Sequence, residues 1–262
     1  SDLDAVVVSS PNFTHVPLAL EALRAGKHVF LEKPVGITPA ECRKLLRATQ
    51  KTNLTLMIGH ELRYSPYFAM IKKLVDADAV GEPKMVWCKE FRGPLMPKSR
   101  NWIQDRRRSG GCLVDKNCHH FDLMNWWIGA HPKRVAAFGG NAVNRVIEGP
   151  NQVHDHVALS WEYDNKVRGT LHLCLFAHDP PKETLEMGIV GDKGVLQTNL
   201  DKLEILHWQR GKRGGEARIH KIKAKRGIGW GGHLGFAEMH PAFVKSIRTG
   251  QNPLTSVANC ID

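Results

Sequence analysis

The sequence predicts an α/β protein in two parts: a parallel β-α-β-α-β segment over residues 1–63, then an α/β unit with a large, open, mainly antiparallel sheet over residues 64–262. Three observations carry that prediction. Short, continuous apolar runs such as Ala5-Val6-Val7-Val8 alternate with helical patterns in the first part, which marks parallel strands buried on both faces. Between residues 153 and 176 the period becomes two, apolar then polar, as in strands with one solvated face. At 262 residues the chain is long enough for two modest domains.

The elements follow in order. After the run at 5–8, Pro11-Asn12-Phe13-Thr14-His15 reads as a loop, and a helix follows through Leu18, Leu20 and Leu23 until Gly26 ends it. A second strand covers 28–31. Thr38-Pro39-Ala40-Glu41 is a capping box with proline at the first helical position, and it opens a helix that runs to about residue 51. Another short strand, 54–58, completes a pattern that needs right-handed crossovers. Beyond Arg63 a helix over 66–75 leads to a strand over 84–91, a loop rich in proline and arginine over 92–108, and a long helix over 111–128. Strands then dominate: 153–161, a turn at Asn165, 167–176, 185–190, 194–197, 203–209 and 217–223. A helix near 241–248 closes the unit, with helices on one face of the sheet.

Composition excludes several classes. Hydrophobic content of 42% and charged content of 24% suit a globular chain that can bury a core. No stretch approaches the ~20 apolar residues of a membrane helix. The net charge of +11 would suit an anionic partner, but much of it lies in residues 202–226, with Arg210, Lys212, Arg213, Arg218, Lys221, Lys223 and Lys225. Gly211, Gly214 and Gly215 make that stretch a hairpin with a solvated polar face. Trp208 and Trp230 are too few for a stacking surface, so neither nucleic acid nor membrane is an expected partner. Six scattered cysteines without a C-x-x-C pair fit a reducing compartment, and the expected location is cytoplasmic.

The chemistry centres on Lys33, just past the C-terminal end of the 28–31 strand, where open parallel sheets collect their ligands. Asp115, His119 and Asp122 are spaced i, i+4, i+7 on one stripe of the long helix. Such a stripe faces water or lines a cleft. Phe121, Leu123, Met124, Trp126, Trp127 and Ile128 leave little of this helix suited to exposure, which favours the cleft. An amine, an imidazole and a carboxylate aimed into one cleft can move protons on and off a hydroxyl. Ser109-Gly110-Gly111 would let a ligand approach free N–H groups. Glu32 either takes part in the chemistry or holds Lys33. His154 and His156 need a third ligand from elsewhere, so no metal site is assigned. Arg106-Arg107-Arg108 reads as a solvated loop.

Taken together, these residues resemble the Gfo/Idh/MocA oxidoreductases, the glucose–fructose oxidoreductase and inositol dehydrogenase group. The resemblance runs through Asp4-Ala5-Val6-Val7-Val8, Pro11-Asn12 and His15, Ala25-Gly26-Lys27-His28-Val29, and Glu32-Lys33-Pro34. It continues at Trp102, at Gly110-Gly111 to Asp115, His119 and Asp122, and at Phe243, Ile247, Gly250 and Pro253. It implies that residues 1–63 are the C-terminal part of a Rossmann domain and that 64–262 bind substrate and assemble homodimers or homotetramers through their sheet. It implies NAD or NADP as cofactor and a sugar, polyol or related hydroxyl compound as substrate. By family role Lys33, Asp115 and His119 are catalytic: Lys33 polarises the reacting hydroxyl, His119 takes its proton, and Asp115 orients the substrate or tunes the histidine. Ser9, Pro11, Asn12, His15, Glu32 and Lys33 would contact the cofactor. Lys33, Arg63, Trp102, Asp115 and His119 would contact the substrate.

The chain departs from the family pattern at Asn117 and Cys112, where glycine is usual, and no G-x-G-x-x-G fingerprint follows its first strand. It reads as starting at the fourth Rossmann strand, about 60 residues into a longer protein. Competing functions are an NAD-dependent glycosidase that oxidises, eliminates and re-reduces its sugar, and a non-catalytic sugar-binding relative. Net consumption of NAD would separate the first from a dehydrogenase. An ionised Asp115 near His119 would raise its pKa, and burial and Lys33 would lower it, so an activity limb is expected between about pH 6 and 8.

Overall fold

The computed structural model describes residues 2–144, 149, 151–177, 185–211, 215–223 and 235–261. Lys212, Arg213, Gly214, Lys225, Arg226 and Trp230 of the expected basic hairpin lie outside the described residues. β1 (Ala5–Val8), β2 (His28–Leu31) and β3 (Leu56–Ile58) form a parallel sheet in the order β1-β2-β3. The crossovers are α1 (His15–Arg24) and α2 (Pro39–Thr49). Thr38 caps α2 by accepting the Glu41 N–H at 3.2 Å. The Glu41 carboxylate accepts from the Ile37 N–H at 2.8 Å, so the reciprocal half of the box is offset by one residue.

A 3₁₀ turn, Glu61–Tyr64, leads from β3 to α3 (Pro66–Asp76), and β4 (Pro83–Phe91) follows. The loop after β4 carries a 3₁₀ segment, Ser99–Gln104, and a short helix, α4 (Arg106–Ser109). The long helix expected over 111–128 is two pieces: a π-helical turn, Leu113–Asn117, and α5 (Cys118–Ile128). Seven further strands complete the unit: β5 (Pro132–Gly140), β6 (His156–Tyr163), β7 (Arg168–Cys174), β8 (Leu185–Gly191), β9 (Gly194–Asn199), β10 (Glu204–Gln209) and β11 (Arg218–Lys221). They form one eight-stranded sheet in the order β11-β10-β9-β8-β4-β7-β6-β5, antiparallel except where β4 meets β7. Sequence reading missed β5. It is an edge strand exposed along nearly its whole length, so it carries no apolar alternation to read.

Two cores result. Val86 and Cys88 of β4, Leu171 and Leu173 of β7 and Trp161 of β6 turn toward Tyr67 and Phe68 of α3 and Leu123, Met124 and Trp127 of α5. The opposite sheet face leaves Met85, Phe91 and Phe138 exposed, the last at 84%. In the smaller unit, Val29, Leu31 and Ile58 bury against Ala19, Leu20 and Leu45 of the crossovers. Its other face, Phe30 and Met57, is covered by Met239 and Phe243 of α6 (Phe236–Thr249).

The segment after α6 returns to β3. Ile58 N–H donates to the Thr255 carbonyl at 2.8 Å, and Val257 of α7 (Val257–Cys260) enters the smaller core. By packing, then, residues 235–261 go with the first unit, which corrects the expected boundary of 64–262 for the second. Helix α6 was legible, but its partner was not, because its burial depends on a strand near the other end of the chain.

Candidate active site

Parallel strand ends and the π turn build this site between them. Lys33 follows β2 and reaches across to the second unit, where its Nζ donates to the Asp115 carbonyl at 2.8 Å. Asn12, in the 3₁₀ turn after β1, makes the same crossing. Its amide donates to the Ser109 carbonyl and to Asp115 Oδ1, both at 2.9 Å. Gly110 and Gly111 take φ of +86° and +94°, a left-handed turn that glycine adopts without strain, and they deliver the chain into the π turn. That extra-wide turn changes the expected stripe. Asp115, His119 and Asp122 do not share one set of partners: Asp115 faces Asn12, His119 faces Glu61, and Asp122 faces Arg63.

His119 opens α5 and is 7% exposed. Its Nδ1 lies 3.3 Å from Glu61 Oε2, without hydrogen-bond alignment, and the His60 ring meets it edge-on at 5.5 Å. Burial pushes the imidazole well below the usual histidine range, and Lys33, His60, His120 and Lys116 push it further. The competition that the sequence left open is decided by burial, and His119 is a neutral base at pH 7. For Lys33 burial opposes the charge, but Cys118, Asp115, Glu61 and Glu32 outweigh it and raise the pKa. Cys118 is itself pushed up to about 12 by burial, so at neutral pH the carboxylates supply that stabilisation. Lys33 is therefore an ammonium next to a neutral imidazole. Burial and then Glu61 raise the carboxyl of Glu32.

The other sequence-derived residues fall into place around this centre. His15 bridges the Pro34 carbonyl (2.8 Å) and the Ser10 carbonyl (2.9 Å), tying the ends of β1 and β2 into one polar rim, and burial lowers its pKa. Ser9, Pro11 and Glu32 lie along that rim, with Ser9 exposed. Such a rim of carbonyls, hydroxyls and amides at the carboxyl ends of parallel strands suits the carboxamide end of a nicotinamide. Trp102 is half-buried against the larger core.

Arg63 is a correction. Its Nε and Nη2 donate to both oxygens of Asp122 at 2.8 and 2.7 Å, and Nη2 also reaches the Asn259 carbonyl at 2.8 Å. With the side chain 5% exposed, the guanidinium fastens three segments instead of presenting itself to a substrate. His60, Asp122 and Cys260 place one ligand atom each within 4.8 Å of one another. A cation there would sit against the Arg63 guanidinium, which already satisfies the carboxylate. A cavity of about 550 Å³ opens beside this group, lined by Gly36, Arg63, Phe121, Asp122, Trp126 and Cys260. Lys33, Asp115 and His119 do not line it, so it is not the centre the chemistry indicates. Glu61 is the residue that sequence reading missed. Its separation from His119 along the chain left no local signal.

Comparison with known proteins agrees with this geometry. Residues 1–60 match the model of an oxidoreductase family with an NAD-binding Rossmann fold, and residues 68–197 match the GFO/IDH/MocA C-terminal domain. The chain is 33% identical over 147 residues to an inositol 2-dehydrogenase of Rhizobium meliloti, which covers 56% of this chain and 43% of that enzyme. A 2,7-anhydro-N-acetylneuraminate hydratase of Mediterraneibacter gnavus is 25% identical over 76% of this chain and 52% of its own length. This chain thus spans about half the length, or less, of these curated relatives. In fold it is similar to an oxidoreductase domain protein from Kribbella flavida, at a TM-score of 0.86 and 24% identity over 100% of this chain and 75% of that one. It is also similar to a levoglucosan dehydrogenase in complex with NADH and levoglucosan, at a TM-score of 0.85 and 22% identity over 99% and 75%. Parallel strand ends, an E-K-P lysine and the D-x-x-x-H turn, matched across both units, place this chain in the Gfo/Idh/MocA oxidoreductase family.

Proposed function

We propose that the whole protein is an NAD(P)-dependent dehydrogenase that oxidises a hydroxyl of a sugar, a polyol or a related compound. The observation that carries this reading is a charged Lys33, held across the junction of the two units by its bond to the Asp115 carbonyl, near a neutral His119. The ammonium of Lys33 binds the reacting hydroxyl oxygen and stabilises the negative charge that grows there. His119 accepts the hydroxyl proton, which burial makes possible at neutral pH. Asp115 aligns Lys33 through its carbonyl and Asn12 through its carboxylate. Ser9, Pro11, Asn12, His15 and Glu32 would hold the nicotinamide end of the cofactor, whose chemistry when bound is to accept the hydride from the carbinol carbon. The turn after β1, Ser9-Ser10-Pro11-Asn12, carries no pyrophosphate-binding glycine run. Incubating the full-length protein with NAD or NADP and a panel of polyols and aldoses tests the reading: reduced nicotinamide should accumulate with at least one of them.

A second reading rests on the hydratase relative, whose named activity is not a net oxidation. In that case the same base and ammonium would serve a transient oxidation, followed by loss or addition at a neighbouring carbon and re-reduction. Product would then form with no net change in the nicotinamide. Assembly is proposed through the open face of the eight-stranded sheet, where Met85, Phe91 and Phe138 stand uncovered. Among the described residues no helix is long and apolar enough to cross a membrane.

A further inference from the structure

We propose that Glu61 is the positioning residue that fixes the tautomer of His119 and shares the positive charge the imidazole gains when it takes the substrate proton. This rests on the dehydrogenase reading and extends it to a residue outside the E-K-P and D-x-x-x-H motifs. The side chains of His119 and Glu61 are 8% and 3% exposed, and Nδ1 lies 3.3 Å from Glu61 Oε2. That nitrogen is buried and makes no aligned hydrogen bond, so the Glu61 carboxylate is the acceptor within reach of it. Asp115, the carboxylate one turn earlier, is engaged by Asn12, so the carboxylate that faces the imidazole comes from the other unit.

The backbone of Glu61 is held as firmly as its side chain. Gly235, at the start of α6, packs so closely that an added Cβ would come within 1.8 Å of the Glu61 carbonyl oxygen. Helix α6 thereby packs against the backbone of the 3₁₀ turn that carries Glu61.

The chemistry follows from having two ring nitrogens. A carboxylate at Nδ1 favours the tautomer with its proton there, and Nε2 is left with a lone pair for the substrate. When the substrate O–H bond breaks, its proton forms the Nε2–H bond and the ring becomes an imidazolium. The charges around it are unfavourable on most sides: Lys33 from the loop after β2, His60 from just beyond β3, Lys116 from the π turn and His120 from α5 itself. Glu61 is the anion set against them. Glu61 itself gains and loses no proton in the step.

The test uses the full-length protein with its cofactor, Glu61→Gln and Glu61→Leu. Glutamine keeps an acceptor for Nδ1–H but removes the charge, and leucine removes both. For Glu61→Gln the expected result is kcat lowered about 10- to 100-fold, the lower range of general-base effects, with KM changed less than about threefold. Its acid limb should move to lower pH, because an anion that favours the imidazolium is gone. Imidazole ¹⁵N spectra should show His119 protonated at Nδ1 in the wild type and in Glu61→Gln, and a mixture of tautomers in Glu61→Leu. An unchanged kcat and limb in Glu61→Gln would overturn the proposal, as would an Nε2-protonated His119 in the wild type. If the wild type oxidises no polyol, the dehydrogenase reading fails while the nitrogen spectra still decide what Glu61 does. If Glu61→Leu does not fold, Glu61→Gln and the wild-type spectrum are sufficient.

Discussion

Lys33 is half-buried, and yet its charge is favoured, because the carboxylates of Asp115, Glu61 and Glu32 outweigh the penalty of burial. A methionine there would keep the aliphatic stem and its packing while losing the donor. In the full-length enzyme Lys33→Met is expected to lower kcat by at least ~100-fold, the scale of removing one preorganised charge-stabilising group, with little change in the melting temperature. Near-normal turnover in steady-state assays would remove Lys33 from the mechanism. For His119 the direction of the shift sets the pH dependence. A pKa held well below the usual value leaves the base neutral at and above pH 6.5, so kcat/KM should be flat from there to pH 8 and fall only at lower pH. That revises the limb expected from the sequence. His119→Asn should abolish the acidic fall and leave a low, level profile. A persistent limb in that variant would point to another group. That Lys33, Asp115 and His119 belong to one region was legible because each is part of a short motif, and their catalytic roles are the proposal above. The answer to which carboxylate faces His119 was not, because it depends on how two units meet.

At the scale of elements, the strands of the parallel sheet were read within a residue or two, because each is a continuous apolar run; β2 and β3 are buried on both faces as expected, whereas β1 leaves Val7 62% exposed. The long helix misled in an instructive way. Spacing of i, i+4, i+7 implies one stripe only at 3.6 residues per turn, and the π turn at Leu113–Asn117 breaks that rule where the site needs it broken. The edge strand β5 is tied down by a carboxylate. Asp155 accepts the N–H groups of Ala142, Val143 and Asn144 at 2.8 to 3.1 Å and pairs with His156 Nδ1 at 2.8 Å. Burial opposes its charge, but these bonds win and bring the carboxyl from 3.8 to about 2. Because the folded-state value is the depressed one, the stabilisation is present above pH 3.8 and is lost as pH falls toward 2. Asp155→Asn should cost about 2 kcal/mol at pH 7. In thermal unfolding the gap between wild type and variant should close between pH 4 and 2. A gap that is constant with pH would mean the cost is steric.

Across the whole molecule, the two-part architecture was legible from the change of period, while the return of the chain end to the first unit was not. Phe243 and Val257 read as ordinary apolar residues, and nothing local says that they bury against β2 and β3. The uncovered sheet face has a consequence for assembly. Phe138, at 84% exposure, lies on the edge strand β5, and β4, three strands along the sheet, exposes Met85 and Phe91 on the same face. If that face joins copies of the whole protein, Phe138→Asp should shift sedimentation equilibrium toward the monomer without altering kcat per chain. A wild type that stays monomeric at every concentration would dismiss the interface. The guanidinium of Arg63 sets a limit on motion as well. It is bolted at once to α5 through Asp122 and to the returning chain through the Asn259 carbonyl, and separating such a buried pair costs roughly 3–5 kcal/mol. Parting the two units at that point is therefore disfavoured. The arginine-rich arm touches the first unit far more lightly, where Arg108 rests on the Phe13 ring at 4.8 Å. That contact is worth about 1 kcal/mol. The junction is thus pinned at Arg63 and only lightly held at Arg108.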